Sequence, residues 1–154
     1  MTNKEIERKF LVKNGSWTKD VRAFMDIVQA YLTNDGVKCI RIRKTESNGK
    51  TQHTMTIKSC NGGMTRMEIE LELGRYQYTD LMKLVDTKVL RKKRYAVVND
   101  QDLWFVDVFP DGLTIAEIEL KTEGQVFERP DWLGEEVTDK KEYYNAEIAK
   151  RQKE

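Results

Sequence analysis

Charged and apolar side chains alternate position by position along several stretches of this chain. In Glu5-Ile6-Glu7-Arg8-Lys9-Phe10, two carboxylates and an ammonium occupy every second place, with Ile6 and Phe10 on the other parity. Arg41 and Arg43 alternate with Ile40 and Ile42, Glu68, Glu70 and Glu72 with Ile69, Leu71 and Leu73, and Glu117 and Glu119 with Ile118 and Leu120. Successive side chains of a strand point to opposite faces, and residues i and i+2 lie about 7 Å apart on one face. Each stretch therefore predicts a strand with a row of charge on one side and a row of aliphatic groups on the other.

Runs of this kind, bounded by turn-forming residues, predict eight strands at about 4–12, 25–33, 37–45, 51–59, 64–73, 88–98, 102–109 and 114–121. Asn34-Asp35-Gly36, Ser47-Asn48-Gly49, Asn61-Gly62-Gly63, Asn99-Asp100 and Pro110-Asp111-Gly112 separate them and suit tight reversals, so neighbours should pair antiparallel. Three intervals have helical character. Ser16 is placed to cap a short helix reaching Val21. Tyr78, Leu81, Met82 and Val85 form an i, i+3, i+4, i+7 stripe with Thr79 at a capping position. Asp139 and Glu142 have the spacing of a capping box ahead of Tyr143, Tyr144 and Ile148.

The polar rows carry charge where a half-buried sheet usually mixes Thr, Ser, Lys and Glu. If the sheet closes, these rows line a lumen and the apolar rows pack outward beneath the helices. Alternation alone leaves open a second arrangement, an open sheet with solvated charge rows. At 154 residues the chain fits one domain, taken as residues 1–154, with no repeat or linker. Charged residues make up 34%, yet 27 basic and 26 acidic side chains nearly cancel, which argues against a uniformly basic nucleic-acid binder. Cys39 and Cys60 have neither CxxC spacing nor a nearby histidine and read as reduced packing residues. No run approaches the ~20 apolar residues of a membrane span, so a soluble cytoplasmic protein is expected.

The content of the rows points to their chemistry. Lys9, Arg41, Arg43, Lys58, Lys92 and Arg94 stand against Glu5, Glu7, Glu68, Glu70, Asp107, Glu117 and Glu119. Like charges ~4 Å apart repel by about 4 kcal/mol at an effective dielectric near 20, so Glu-x-Glu pairs brought together call for a cation. Mg²⁺ takes hard oxygen ligands and commonly shares them with phosphate. Arg-x-Arg and Lys-x-Arg rows offer forked and point-charge donors to several phosphates in line.

These residues resemble the CYTH-type triphosphate tunnel metalloenzymes over nearly the whole chain. Glu5 to Val12 resembles the family's ExExK signature. Gln29-Ala30-Tyr31-Leu32, Arg41-Ile42-Arg43, Thr56-Ile57-Lys58, Arg66 to Glu70, Lys92 to Tyr95, Val106 to Phe109 and Ala116 to Glu119 resemble its successive strand motifs. Trp132 to Thr138, with Tyr144-Asn145, resembles its C-terminal segment. The resemblance implies a mainly β fold, an eight-stranded antiparallel closed barrel with a charged lumen and a few outer helices. It also implies action on a small-molecule triphosphate with Mg²⁺ or Mn²⁺, and leaves a homodimer open by analogy. Glu5, Glu7, Glu117 and Glu119 are expected to hold the metal, and Lys9, Arg41, Arg43, Lys58, Lys92 and Arg94 the phosphates. Glu68, Glu70 and Asp107 are catalytic candidates that bind a second metal, orient the attacking water or hold the basic side chains.

The expected reaction needs no Ser or Cys nucleophile, since a cation activates the attacking water. Hydrolysis of inorganic tripolyphosphate to pyrophosphate and phosphate is the leading reading. A class IV-like adenylyl cyclase, a nucleoside or thiamine triphosphatase and a non-catalytic polyphosphate-binding module are the rivals. Parity splits the basic run at residues 91–94, sending Lys92 and Arg94 inward and Arg91 and Lys93 to solvent, which again disfavours a nucleic-acid patch. Arg8 and His53 fall on outer parity, Trp17, Trp104 and Trp132 read as packing residues, and Tyr31 falls on the inner row, with substrate contact and packing both open.

Overall fold

The computed structural model describes residues 3–59, 63–85 and 87–152, so Cys60, Asn61 and Gly62 lie outside the described residues. Among the described residues nine strands form: β1 (Asn3–Val12), β2 (Val21–Asn34), β3 (Lys38–Ser47), β4 (Lys50–Ser59), β5 (Thr65–Leu73), β6 (Leu90–Asn99), β7 (Asp102–Val108), β8 (Thr114–Glu119) and β9 (Leu133–Glu136). The order is β5-β4-β3-β2-β6-β7-β8-β1, with β1 and β5 also paired, which closes eight antiparallel strands into a barrel. Short β9 adds to β1 beyond the point where β5 departs. Gly134 permits this docking, because a Cβ there would stand 2.8 Å from the Leu11 carbonyl oxygen.

Among the described residues the tight reversals form where expected; Asn61-Gly62-Gly63 lies largely outside them. Asn48 and Gly49 have φ of 52° and 74° and join the paired residues Ser47 and Lys50, the backbone of a two-residue turn that matches strand twist. A 3-10 helix covers Gly15–Asp20, but its cap is Asn14, whose Oδ1 accepts from the Ser16 backbone N and hydroxyl. Val21 already belongs to β2, which starts four residues before the expected boundary. Helix α1 (Arg75–Met82) begins at Gly74, whose N–H donates to Gln77 Oε1; Thr79 sits inside the helix, donating its hydroxyl to the Arg75 carbonyl. Tyr78, Leu81, Met82 and Val85 are its partly buried side, as the stripe predicts. The capping-box spacing at Asp139 yields a turn and the 3-10 helix Lys141–Tyr143, and α2 (Asn145–Arg151) starts only after Tyr144.

The main hydrophobic core lies outside the barrel wall. Phe10, Val97, Trp104, Val106, Ala116 and Ile118 project from the outer rows of β1, β6, β7 and β8 and are covered by Trp17, Trp132 and Leu133. Trp104 packs edge-on against Phe10, Phe127 and Trp132, with ring centroids 5.5–5.8 Å apart. The three tryptophans are thus packing residues. Helix α1 and the first 3-10 helix lie against the barrel exterior as expected. The C-terminal α2 differs: it seats Ile148 and Ala149 among Tyr31, Leu90, Phe109 and Ile115. Among the described residues no helix is long and apolar enough to cross a membrane.

Candidate active site

Strand register brings the charge rows together inside the barrel. Glu7 faces Glu119 and Lys9 faces Glu117 across β1 and β8; Lys58 faces Glu68 across β4 and β5; Arg94 faces Asp107 across β6 and β7. The cavity between them has a volume of about 300 Å³. Twelve of the thirteen sequence-derived site residues line it: Glu5, Glu7, Lys9, Arg41, Arg43, Lys58, Glu68, Glu70, Lys92, Arg94, Glu117 and Glu119. Asp107 does not reach it. That residue is 1% exposed and sits behind two bases, accepting from Lys92 Nζ at 2.7 Å and from Arg94 Nε and Nη2 at 2.7 and 2.9 Å. Of the three roles open to it, the geometry fits holding basic side chains.

Most of the bases are already neutralised. Lys9 Nζ lies 3.8 Å from Glu7 and 3.6 Å from Glu117, and Lys58 Nζ lies 2.8 Å from Glu5 and 3.4 Å from Glu68. Arg94 reaches Glu117 at 3.2 Å besides Asp107. Arg41 and Arg43 contrast with these, since neither has a carboxylate partner among the described residues. Arg41 donates from Nη2 to Thr56 Oγ1 at 3.1 Å and keeps a buried Nε without a hydrogen bond. Arg43 donates from Nε to Gln29 Oε1 at 2.9 Å. Burial first, then the charges of Arg41 and Arg94, pulls the Arg43 pKa down to about 9, as expected for a cation lacking its counter-ion.

An acidic pole faces this basic one. Burial and then the charges of Glu5 and Glu7 hold the Glu119 carboxyl above its ordinary range. Neither Glu119 nor Glu70 has an ion-pair partner among the described residues. Burial would also raise Asp107, but Arg94 and Lys92 outweigh it and hold that carboxyl low. Burial likewise pulls Lys92 down to about 7, against the opposing influence of Asp107.

Residues on the outer parity take no part. Arg8 pairs with Glu136 through Nε at 2.8 Å and Nη2 at 2.5 Å, and Glu136 also accepts from Thr138 Oγ1. His53 stacks on Tyr78 with centroids 4.6 Å apart, and Lys93 lies 3.8 Å from Asp26. Sequence reasoning missed several lining residues: Thr56, Arg66, Phe105, Lys141, Tyr144, Asn145 and Glu147. Asn145 Oδ1 accepts from Lys92 Nζ at 2.9 Å, and Tyr144 carries the Arg66 guanidinium on its ring at 4.7 Å. Arg66 shares the inner parity of Glu68 and Glu70, which was the available signal.

A closed antiparallel barrel with acids and bases opposed in its lumen defines a tunnel built for a polyanion and a cation together. Residues 3–153 match the CYTH domain. Inorganic triphosphatases of Acetivibrio thermocellus and Nitrosomonas europaea are each 34% identical over 151 residues; the alignments cover 96% and 94% of this chain and 94% and 96% of those proteins. A crystal structure of an inorganic triphosphatase superposes with a TM-score of 0.66 at 31% identity, covering 97% of both chains. The chain belongs to the CYTH domain family. Membership implies a metal cofactor.

The donor set fits such an ion chemically. Glu5, Glu7, Glu117 and Glu119 supply hard oxygens, and the raised Glu119 carboxyl records a density of negative charge that a divalent cation would relieve. Among the described residues no three His, Cys, Asp or Glu side chains already stand as a closed metal-binding group. Glu5 and Glu7 instead pair with Lys58 and Lys9.

Proposed function

We propose that this protein hydrolyses inorganic tripolyphosphate to pyrophosphate and phosphate. The observation that carries the reading is the two-pole cavity: Arg41 and Arg43 uncompensated on one wall, crowded carboxylates with a raised Glu119 on the other. A chain of three phosphates supplies the missing anion, and the carboxylates hold the divalent cation that accompanies it. When bound by Glu5, Glu7, Glu117 and Glu119, that cation supplies Lewis-acid polarisation of phosphoryl oxygens and activation of water. Mg²⁺ or Mn²⁺ suits these ligands, and a cytoplasmic location belongs to the same proposal.

The side chains divide the remaining work. Arg41 offers its unpartnered Nε and Arg43 its guanidinium to phosphoryl oxygens, while Lys9, Lys58, Lys92 and Arg94 offset charge that develops as the phosphoanhydride bond breaks. Water adds to the terminal phosphorus, and the bridging oxygen leaves with pyrophosphate. Glu70, which has no cationic partner among the described residues, is the carboxylate suited to orient the water. Glu68 positions Lys58, and Asp107 positions Lys92 and Arg94 from behind.

The size of the site and the use of its aromatic rings favour an inorganic substrate over a nucleotide. A volume of about 300 Å³ is at the lower end of the ~300–1,000 Å³ typical of small-molecule pockets. Phe105 and Tyr144, which line the cavity, carry the protein's own cations: Arg94 on Phe105 at 5.0 Å and Arg66 on Tyr144. Phosphate, pyrophosphate and cyclic AMP should be measured in parallel from tripolyphosphate, ATP and thiamine triphosphate. Turnover of tripolyphosphate ahead of the others is expected, and its absence would refute the assignment.

A further inference from the structure

Asn145 is the first residue of α2 and has no part in the reaction as described so far. Its Oδ1 accepts from Lys92 Nζ at 2.9 Å. The Lys92 side chain is fully buried, so each N–H of its ammonium needs an acceptor in the protein or in the cavity. An ammonium donates three hydrogen bonds. Asp107 Oδ2 takes one at 2.7 Å and Asn145 the second, and the third finds no acceptor among the described residues. Lys92 lines the cavity, so that donor is left for whatever enters it.

The uncharged acceptor distinguishes Lys92 from the bases around it. Lys9 and Lys58 each pair with two carboxylates, and Arg94 reaches both Asp107 and Glu117. Lys92 has Asp107 alone, which it shares with Arg94. An amide in the second place holds the ammonium without cancelling its charge. Burial pulls Lys92 down to about 7, and a hydrogen bond made by the charged form works against that pull. The helix carrying Asn145 is in turn fixed to the same stretch of β6. Ile148 and Ala149 pack in the cluster that contains Leu90. At the far end of α2, Gln152 Oε1 accepts from the Arg91 backbone N at 2.8 Å and its Nε2 donates to the Arg91 carbonyl at 2.9 Å. Leu90, Arg91 and Lys92 are thus met in succession from the helix, which sets Asn145 in one register against the ammonium.

We propose that Asn145 is a positioning residue that aims the Lys92 ammonium at a phosphoryl oxygen of the bound triphosphate while leaving its charge uncancelled. The proposal rests on the triphosphate reading of the cavity. Asp107 and Asn145 then act on Lys92 in different ways: the carboxylate anchors the cation, and the amide ties a second donor so that the third is presented to the anion.

Tripolyphosphate binding by calorimetry without divalent metal should be compared for wild type, Asn145→Leu, Lys92→Met and the double variant. Leu matches Asn in size but accepts no hydrogen bond. Loss of a hydrogen bond to a charged group predicts that N145L weakens binding about tenfold. In the K92M background there is no ammonium to aim, and N145L should cost less than about twofold. A packing role for Asn145 would give the same loss in both backgrounds, so the coupling separates the two. Equal binding by N145L and wild type, or equal losses with and without Lys92, overturns the proposal and leaves the triphosphate reading standing. Failure of the wild type to bind tripolyphosphate overturns both. If N145L does not fold, Asn145→Ala takes its place in the cycle under the same criteria.

Discussion

Glu7 and Glu119 face each other directly across the β1–β8 ladder, and the Glu119 carboxyl is held above its ordinary range by burial and then by the charges of Glu5 and Glu7. A carboxyl with a raised folded pKa stabilises the fold below its unfolded value near 4.3, and that contribution is lost as pH rises through the folded value. The metal-free protein should therefore carry a destabilising charge at neutral pH that Glu119→Gln removes. Scanning calorimetry should show E119Q melting above wild type at pH 7.5, with the difference shrinking towards pH 4. Added Mg²⁺ should raise the wild-type melting temperature more than that of E119Q. A lower melting temperature for E119Q at neutral pH would contradict this electrostatic picture.

Asp107 is covered by the two bases it holds, Lys92 and Arg94. Asp107→Asn leaves the buried Lys92 without its counter-charge and Arg94 with Glu117 alone, and should cost about 3–5 kcal/mol in urea unfolding. Its depressed pKa gives the opposite pH dependence to Glu119: the contribution is present above the unfolded value near 3.9 and is lost as pH falls through the lower folded value. The stability gap between wild type and D107N should narrow on acidification, and a constant gap would show that the charge is not what matters.

Lys92, pulled down to about 7 by burial, must be charged when a phosphate chain lies against it. Tripolyphosphate binding at pH 8.5 should therefore take up protons, with Lys92 contributing up to about one. Calorimetry in two buffers of different ionisation enthalpy measures the uptake. Lys92→Arg, permanently charged and still able to pair with Asp107, should remove that share. Equal uptake by both proteins would place the proton elsewhere.

Adjacent residues of β1 test the inner and outer assignment. Arg8→Met breaks the two hydrogen bonds to Glu136 that tie β9 to β1, and should lower stability by about 1–2 kcal/mol while leaving kcat unchanged. Lys9→Met, on the lumen side, should keep the fold but lower kcat by about 10²–10³-fold. Stopped assays and urea curves on the two variants separate the effects.

Strict alternation is the strongest sequence signal, and it separated Lys9 from Arg8 and Lys92 from Arg91 because one residue of offset changes the face of the sheet. It could not show depth. Asp107 shares the inner parity, but that it lies beneath Lys92 and Arg94 follows from the pairing of β6 with β7. Gln29 had the parity of Tyr31, yet its hydrogen bond from Arg43 follows from the register that brings Arg43 across from β3. Strand β9 escaped notice because Leu133-Gly134-Glu135-Glu136 is too short for a period, and its docking depends on a close approach to Leu11. Asn145 meets Lys92 across 53 residues of sequence through α2, a contact local pattern cannot encode. The capping box at Asp139 had correct spacing, but the chain there makes a 3-10 turn before the helix begins.

The most direct measurement of the central claim is phosphorus NMR of tripolyphosphate incubated with the protein and Mg²⁺. The account predicts loss of the tripolyphosphate resonances with pyrophosphate and phosphate appearing in equal amounts, and no such change with Glu7→Gln. Tripolyphosphate that persists unchanged beside the active-site-intact protein would contradict it.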